Sequence, residues 1–278
     1  MRRTLRDARV LLTGASSGIG RALVLELAAR GARLMITARR EHLLDELVEE
    51  VQTRFSPSSG DGSPRIFRIA GDITSPEIRR RCVSSAVANF GGLDILINNA
   101  GVGAAAKIES TEEPIIRRLM EVNVFSLLSM SRHALTHLKA AASDPERQKA
   151  GVRPMIVNIS SVVGLRGVPH YGVYAATKAA VASLSDSLRA ELFQDGIDVM
   201  SVFPGTTSTE FFDSQLVAST QPAVPMHKSV SAEYVARRIA TGMLRGSHRI
   251  IPYFPAVILD YLQRFSPRLV DGIMTRYA

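Results

Sequence analysis

Ala8-Arg9-Val10-Leu11-Leu12-Thr13-Gly14-Ala15-Ser16-Ser17-Gly18-Ile19-Gly20 is a short apolar strand running straight into a glycine-broken turn. The residues that follow have helical periodicity, with Ile19, Leu23 and Leu27 on one face and Gly31 placed to end the helix. Glycines in such a turn let backbone approach phosphate oxygens, and a helix amino terminus adds unpaired N–H groups and partial positive charge. The spacing here is Gly-x-x-x-Gly-x-Gly, whereas the commoner dinucleotide signature is Gly-x-Gly-x-x-Gly. Taken alone, the turn therefore reads either as a phosphate cradle or as a ligand-free structural turn.

Working outward, strand-like and helix-like segments alternate. Residues 33–38 (RLMITA), 65–70, 93–98, 155–160 (MIVNIS) and 198–203 read as strands. Between them, residues 41–55 carry a Leu44, Leu47, Val48, Val51 stripe, and 76–90 and 174–193 also read as helices. One long helix is expected from Thr111 past Leu138, with Pro114 tolerated in its first turn and a charged connection over 140–152. A last helix spans 231–244, capped by Ser231 with Glu233 in its first turn. Residues 56–64 (SPSSGDGSP) are loop-like but too short to divide domains. This alternation implies an α/β fold: one doubly wound parallel sheet between two layers of helices, a single unit over 1–278. In such sheets ligands bind outside the carboxyl ends of the strands, where the strand order reverses.

Composition narrows the partners. Of 278 residues 46% are hydrophobic and 22% charged, so the chain can build a core without metal or disulfides, and its one cysteine, Cys82, excludes an internal disulfide. A cytoplasmic location is expected: no stretch of about 18 uncharged apolar residues exists, and the segment after Met1–Arg9 enters the Gly14 turn rather than a signal-peptide cleavage site. The net charge of +8 raises polyanions as partners, but the arginine pairs and triplets are scattered and no aromatic stripe is interleaved with them. No nucleic-acid partner is expected. His133 and His137 stand four apart without a third ligand, so no metal is expected either.

Two further constellations carry chemistry. The second strand ends in Ala38-Arg39-Arg40, where an NAD site would place an acidic residue on the ribose. Arg39 and Arg40 can instead pair with a 2′-phosphate, which favours NADP(H) over NAD(H). Tyr174 and Lys178 lie four apart on one helical face, and Ser161 ends the fifth strand thirteen residues earlier. A phenol titrates near 10, so its use at neutral pH calls for a stabilised anion, which a neighbouring ammonium would supply by lowering the phenol pKa. The Ser161 hydroxyl could hold a substrate carbonyl against the phenol; strand alternation sends Ser160 and Ser161 to opposite sides without saying which faces the phenol.

Together these residues resemble the short-chain dehydrogenases/reductases, in their single-domain, Rossmann-like branch. The resemblance covers Arg9 to about Ile251 and rests on Thr13-Gly-x-x-x-Gly-x-Gly20, Asp72, Asn98-Asn99-Ala100-Gly101, Asn123, Ser161, Tyr174-x-x-x-Lys178 and Pro204-Gly205. It implies that Tyr174 is the general acid in carbonyl reduction and the base in alcohol oxidation. Lys178 would lower its pKa and hold the nicotinamide ribose, Ser161 would polarise the substrate oxygen, and Asn123 would anchor a water leading to Lys178. The cofactor would lie against Gly14, Ser16, Ser17, Gly18, Ile19 and Gly20, with Arg39 and Arg40 at its 2′-phosphate. Asp72 and Ile73 would border the adenine, Asn99, Ala100 and Gly101 the adenosine ribose side, and Pro204, Gly205, Thr206 and Thr209 the carboxamide.

The expected activity is hydride transfer between nicotinamide and a small-molecule carbonyl or secondary alcohol. An NADP(H)-binding sensor or scaffold without turnover is the alternative. Residues 204–230 have no periodicity and suggest a lid, whose Phe211, Phe212, Leu216 and Val217 hint at an apolar substrate. The 252–278 extension is apolar with Arg264, Arg268 and Arg276 interspersed. The resemblance assigns it to the pocket or to a homodimer or homotetramer interface, and its basic amphipathic character also fits peripheral membrane-surface contact.

Overall fold

The computed structural model describes residues 3–55, 65–208, 215–217 and 229–277. In chain order it runs β1 Arg9–Thr13, α1 Gly18–Ala29, β2 Arg33–Ala38, α2 Glu41–Arg54, β3 Ile66–Ala70, α3 Pro76–Phe90 and β4 Ile95–Asn98. Then come α4 Glu113–Met120, a π-helical turn Glu121–Phe125, α5 Ser126–Ser143, α6 Pro145–Lys149, β5 Met155–Ile159, α7 Gly172–Glu191 and β6 Asp198–Val202. Two-residue strands β7 Thr207–Ser208 and β8 Val230–Ser231 pair with each other beside α8 Ala232–Arg245. The chain continues through β9 Arg249–Ile250, α9 Phe254–Phe265 and α10 Pro267–Met274.

The main sheet has the order β3-β2-β1-β4-β5-β6-β9, and every neighbouring pair is parallel. Its central strands are near-continuous apolar runs because helices cover both faces. Alternation decides which helices each side chain meets. Val10, Leu12, Leu34, Ile36, Ile97 and Val157 join one core with α1, α2 and α8, whereas Leu11, Met35, Leu96 and Ile156 join the other with α3, α5 and α7. The expected doubly wound sheet is thus what forms.

Helix ends follow local chemistry. Ser75 caps α3 by accepting from the Ile78 N–H, Pro76 opens its first turn, and Gly91 ends it at φ 73°. Ser231 caps α8 as expected from sequence, accepting from Tyr234 N–H at 3.2 Å. The long helix expected from Thr111 differs. It starts at Glu113, is broken by the π-turn around Asn123, and then runs on to Ser143, with α6 occupying much of the supposed connection. The break coincides with a tertiary tie: Asn123 Oδ1 accepts from Val102 N–H and its Nδ2 donates to Val102 C=O, both at 2.9 Å, joining the helix to the loop after β4. Such π-turns recur at functional sites.

At the opposite, amino-terminal edge of the sheet, Asp94 is completely buried and accepts from the Arg9 backbone at 2.8 Å and from Arg9 Nη2 at 2.6 Å. Arg147 reaches the same carboxylate from within α6 and also holds the Asp7 carbonyl. Removing one partner of such a cluster leaves the other charges without compensation. Asp94→Ala is expected to lower unfolding free energy by about 3 kcal/mol, read by urea denaturation, with the cleft at the other end of the sheet unaltered.

Candidate active site

The order reverses between β1 and β4, and the loops leaving their carboxyl ends part there to open a cleft of about 740 Å³. The turn after β1 forms its floor. Thr37 C=O anchors it by accepting from Gly14 N–H at 2.8 Å and Ala15 N–H at 3.2 Å. Gly14 sits at φ 72°, and a Cβ on it would come 2.7 Å from Ala100 Cα; a Cβ on Gly20 would come 2.0 Å from Gly14 C=O. Only glycine lets strand, turn and helix close this tightly. Helix α1 starts at Gly18, and the side chain of its cap residue, Ser17, makes no capping bond, so the first-turn amides are left for another acceptor.

Ser16, Ser17, Gly18, Ile19, Arg39, Arg40, Asp72, Ile73, Ala100 and Gly101 line the same cleft. Arg39 is exposed and makes no ion pair among the described residues, while Arg40 donates to Ser16 Oγ at 3.2 Å. Asp72 accepts from Thr74 N–H at 2.9 Å and from Arg118 Nη2 at 2.7 Å. Burial pushes its carboxyl up, but the bonds from Thr74 and Arg118 outweigh this and bring it down to about 2. Asn99 also borders the cleft, yet its Nδ2 is spent inward, donating to Thr13 C=O at 3.0 Å and Gly14 C=O at 2.9 Å. Its side chain shapes the turn.

At the other end of the cleft stand Ser161, Tyr174 and Lys178, with Pro204, Gly205 and Thr206 across from them. Ser160 and Ser161 diverge as strand alternation requires. Ser160 Oγ is buried and donates to Lys178 C=O at 2.7 Å, while Ser161 lines the cleft with Tyr174, its hydroxyl 3.5 Å from Pro204 C=O. Lys178 Nζ donates to Ile159 C=O at 3.0 Å and lies 5.8 Å from the Tyr174 ring centre. Asn123 stands one layer deeper, its Nδ2 also donating to Thr177 Oγ1 at 3.0 Å; a Cβ on Gly101 would come 3.2 Å from Asn123 Oδ1 and 3.4 Å from Lys178 Nζ.

Electrostatics here depart from the sequence expectation. Burial dominates and pushes the Tyr174 phenol well above its ordinary value; the Ser161 hydrogen bond opposes this and Tyr171 adds to it. Burial also brings the Lys178 amine down to about 8. Both groups are shifted toward their uncharged forms because burial penalises the charge on each.

Thr209, Phe211 and Phe212 lie outside the described residues. Residues 216 and 217 of the supposed lid are described and bond to the loop after β4: Leu216 N–H donates to Gly103 C=O at 2.9 Å, and Ala105 N–H to Val217 C=O at 2.8 Å. Thr13 belongs to the glycine motif read from sequence, but its bonds to the loop after β4 are not written there, and sequence reasoning passed over Arg118, Thr177 and Arg166: nothing in sequence pairs Arg118 with Asp72, 46 residues away.

The short chain dehydrogenase family model matches residues 8–218. The chain belongs to the short chain dehydrogenase family. A protein of Thermotoga maritima described as an uncharacterized oxidoreductase is 36% identical over 222 residues, 80% of each chain. An Arabidopsis thaliana protein, "11-beta-hydroxysteroid dehydrogenase-like 4A", is 30% identical over 262 residues, 94% of this chain and 81% of that one. Among solved structures, a Burkholderia phymatum short chain dehydrogenase/reductase in complex with NAD superposes with a TM-score of 0.81 at 21% identity, covering 95% of both chains. A Burkholderia cenocepacia short chain dehydrogenase in complex with NADP does so with a TM-score of 0.76 at 23% identity, covering 98% of both. At these identities the structural likeness establishes the fold. The glycine floor, the uncapped α1 and the arginines at the β2 end fit a dinucleotide of either kind.

The lysine gives a test by stability. Its folded-state pKa of about 8 lies below its ordinary 10.5, so between those values the unfolded chain binds more protons and stability rises with pH. Lys178→Met has no such group. The stability difference between Lys178→Met and wild type is expected to shift in favour of wild type as pH rises from 7 to 10, read by denaturation at each pH. A difference constant with pH would contradict the assigned burial.

Proposed function

We propose that this short chain dehydrogenase is an NADP(H)-dependent oxidoreductase that interconverts an apolar carbonyl compound and its secondary alcohol. The observation that carries the reading is that Ser161, Tyr174 and Lys178 line the same cleft as the glycine turn, with Lys178 Nζ 5.8 Å from the Tyr174 ring centre. When bound, the nicotinamide supplies or accepts the hydride. Gly14, Ser17, Gly18, Ile19 and Gly20 would hold the pyrophosphate by backbone N–H groups, and Arg39 and Arg40 the 2′-phosphate. Asp72 and Ile73 would hold the adenine end, and Pro204, Gly205 and Thr206 the carboxamide.

In reduction, Ser161 orients the carbonyl oxygen and the Tyr174 phenol gives it a proton. Burial keeps that phenol protonated and ready to donate. The Lys178 ammonium then stabilises the phenolate left behind, and Asn123 fixes the polar corner around the amine. For alcohol oxidation the same groups run in reverse, with phenolate as base. Apolar substrates are supported by the substrate-end lining of Val162, Val163, Val168, Leu259 and Met274. The name of the Arabidopsis relative, which mentions a hydroxysteroid, points the same way. Leu259 and Met274 also make the 252–278 extension part of the pocket within one folded unit.

The deciding experiment is NADPH consumption over a panel of apolar ketones, aldehydes and 3-oxoacyl compounds. Tyr174→Phe is expected to lower kcat by about 10³-fold while NADPH still quenches or enhances fluorescence as in wild type; retained turnover would overturn the assignment. Cofactor choice is read from KM values. Arg39→Ala is expected to raise the NADPH KM about tenfold and leave that for NADH unchanged, and a wild type that prefers NADH would refute the 2′-phosphate site.

A further inference from the structure

The substrate end of the cleft carries a cation that the proposed reaction does not use. Arg166 lies on the loop after β5, five residues beyond Ser161, and lines the cleft beside Val163, Val168, Leu259 and Met274. Its Nη2 donates to Asp271 Oδ1 of α10 at 2.5 Å. Its Nε is buried, and no acceptor among the described residues meets it. An unmet buried donor is costly, and a guanidinium stays charged under all ordinary conditions. Asp271 compensates little of that charge, because its side chain is 57% exposed against 23% for Arg166, and ion pairs open to water are weak. The other arginines of the cleft are at its nucleotide end, where Arg118 is bound to Asp72 and Arg39 and Arg40 flank the glycine turn.

We propose that Arg166 is a specificity-determining residue that binds a carboxylate on the substrate, so that the preferred substrates are apolar oxo-acids rather than neutral ketones. The inference rests on the oxidoreductase reading and names its substrate class. The apolar walls take the hydrocarbon, Ser161 and Tyr174 take the carbonyl oxygen, and the cleft-lining Arg166 guanidinium takes the remote carboxylate in place of its exposed partner Asp271. Asp271 holds the arginine in place before substrate arrives and competes with it afterwards. Because Asp271 belongs to α10, the same contact fastens the carboxyl-terminal extension over the pocket.

The test is calorimetric titration of decanoate and of 1-decanol into the full chain with and without saturating NADPH. Wild type is expected to bind decanoate at least about tenfold more tightly than decanol. Arg166→Leu should abolish that preference and leave decanol within about threefold. Asp271→Asn, which removes the competing carboxylate, should strengthen decanoate binding. Thermal melting checks each variant for folding, and Arg166→Gln, of similar length, carries the comparison if Arg166→Leu does not fold. Equal binding of the two probes by wild type, or a decanoate preference that survives Arg166→Leu and Arg166→Gln, would overturn the proposal. NADPH turnover is scored separately, so a failure of the oxidoreductase reading shows as no NADPH consumption with the carboxylate preference still measurable.

Discussion

Thr13 and Asn99 tie together the two loops that leave the middle of the sheet in opposite directions. Thr13 Oγ1 accepts from the backbone N–H groups of Asn99 at 3.1 Å and Ala100 at 3.0 Å, and the Asn99 amide returns two bonds to the carbonyls of Thr13 and Gly14. Adjacent parallel strands whose following helices lie on opposite faces must part at their carboxyl ends. Without this stitch the glycine turn would have no fixed wall opposite it. Gly14 and Gly20 are the counterpart, since any side chain there would collide with Ala100 or with Gly14 itself. The cleft is the consequence of a sheet that reverses its order and of four polar contacts that hold the reversal to one shape.

The second constraint is burial at the reacting end. Tyr174 and Lys178 both stand on the buried side of α7, packed under the loop that carries Ser161, and Gly164 passes so close that a Cβ would touch the Lys178 backbone at 2.7 Å. Enclosure sets both groups toward neutrality, so their charged forms gain weight only when ligand supplies opposite charge or hydrogen bonds. Much of the positive excess that first suggested polyanions has local uses. Arg79 is buried and donates to the carbonyls of Ile73 and Thr74, Arg118 holds Asp72, and Arg9 and Arg147 meet on Asp94. Arg39 and Arg40 at one end of the cleft and Arg166 at the other face its interior.

Most of the fold was legible because its signals are local or periodic. The ranges Arg33–Ala38 for β2 and Pro76–Phe90 for α3 are those expected from sequence, each set by an abrupt switch of period beside Gly or Pro. The π-turn at Asn123 was hidden, since it coincides with a tertiary bond to Val102 rather than with any break in the hydrophobic pattern. Helices α9 and α10 were seen only as an apolar, arginine-dotted segment, because both Pro255 and Pro267 sit in first turns, where proline opens a helix instead of ending it. Of the site, Gly14, Ser161, Tyr174 and Lys178 were readable from spacing. The inward use of Asn99 and the pairing of Asp72 with Arg118 depend on the loops meeting in space, and spacing carries no trace of that.

The central claim is that one cleft, opened by the parting of β1 and β4, takes the dinucleotide with its reactive end at Tyr174. Hydrogen–deuterium exchange of the full chain with and without NADPH tests it most directly. Protection should appear together at residues 14–20, 38–40, 72–73, 99–101 and 204–206, with the Asp94 cluster at the far end of the sheet unchanged. Protection confined to other segments, or none at saturating NADPH, would contradict the account.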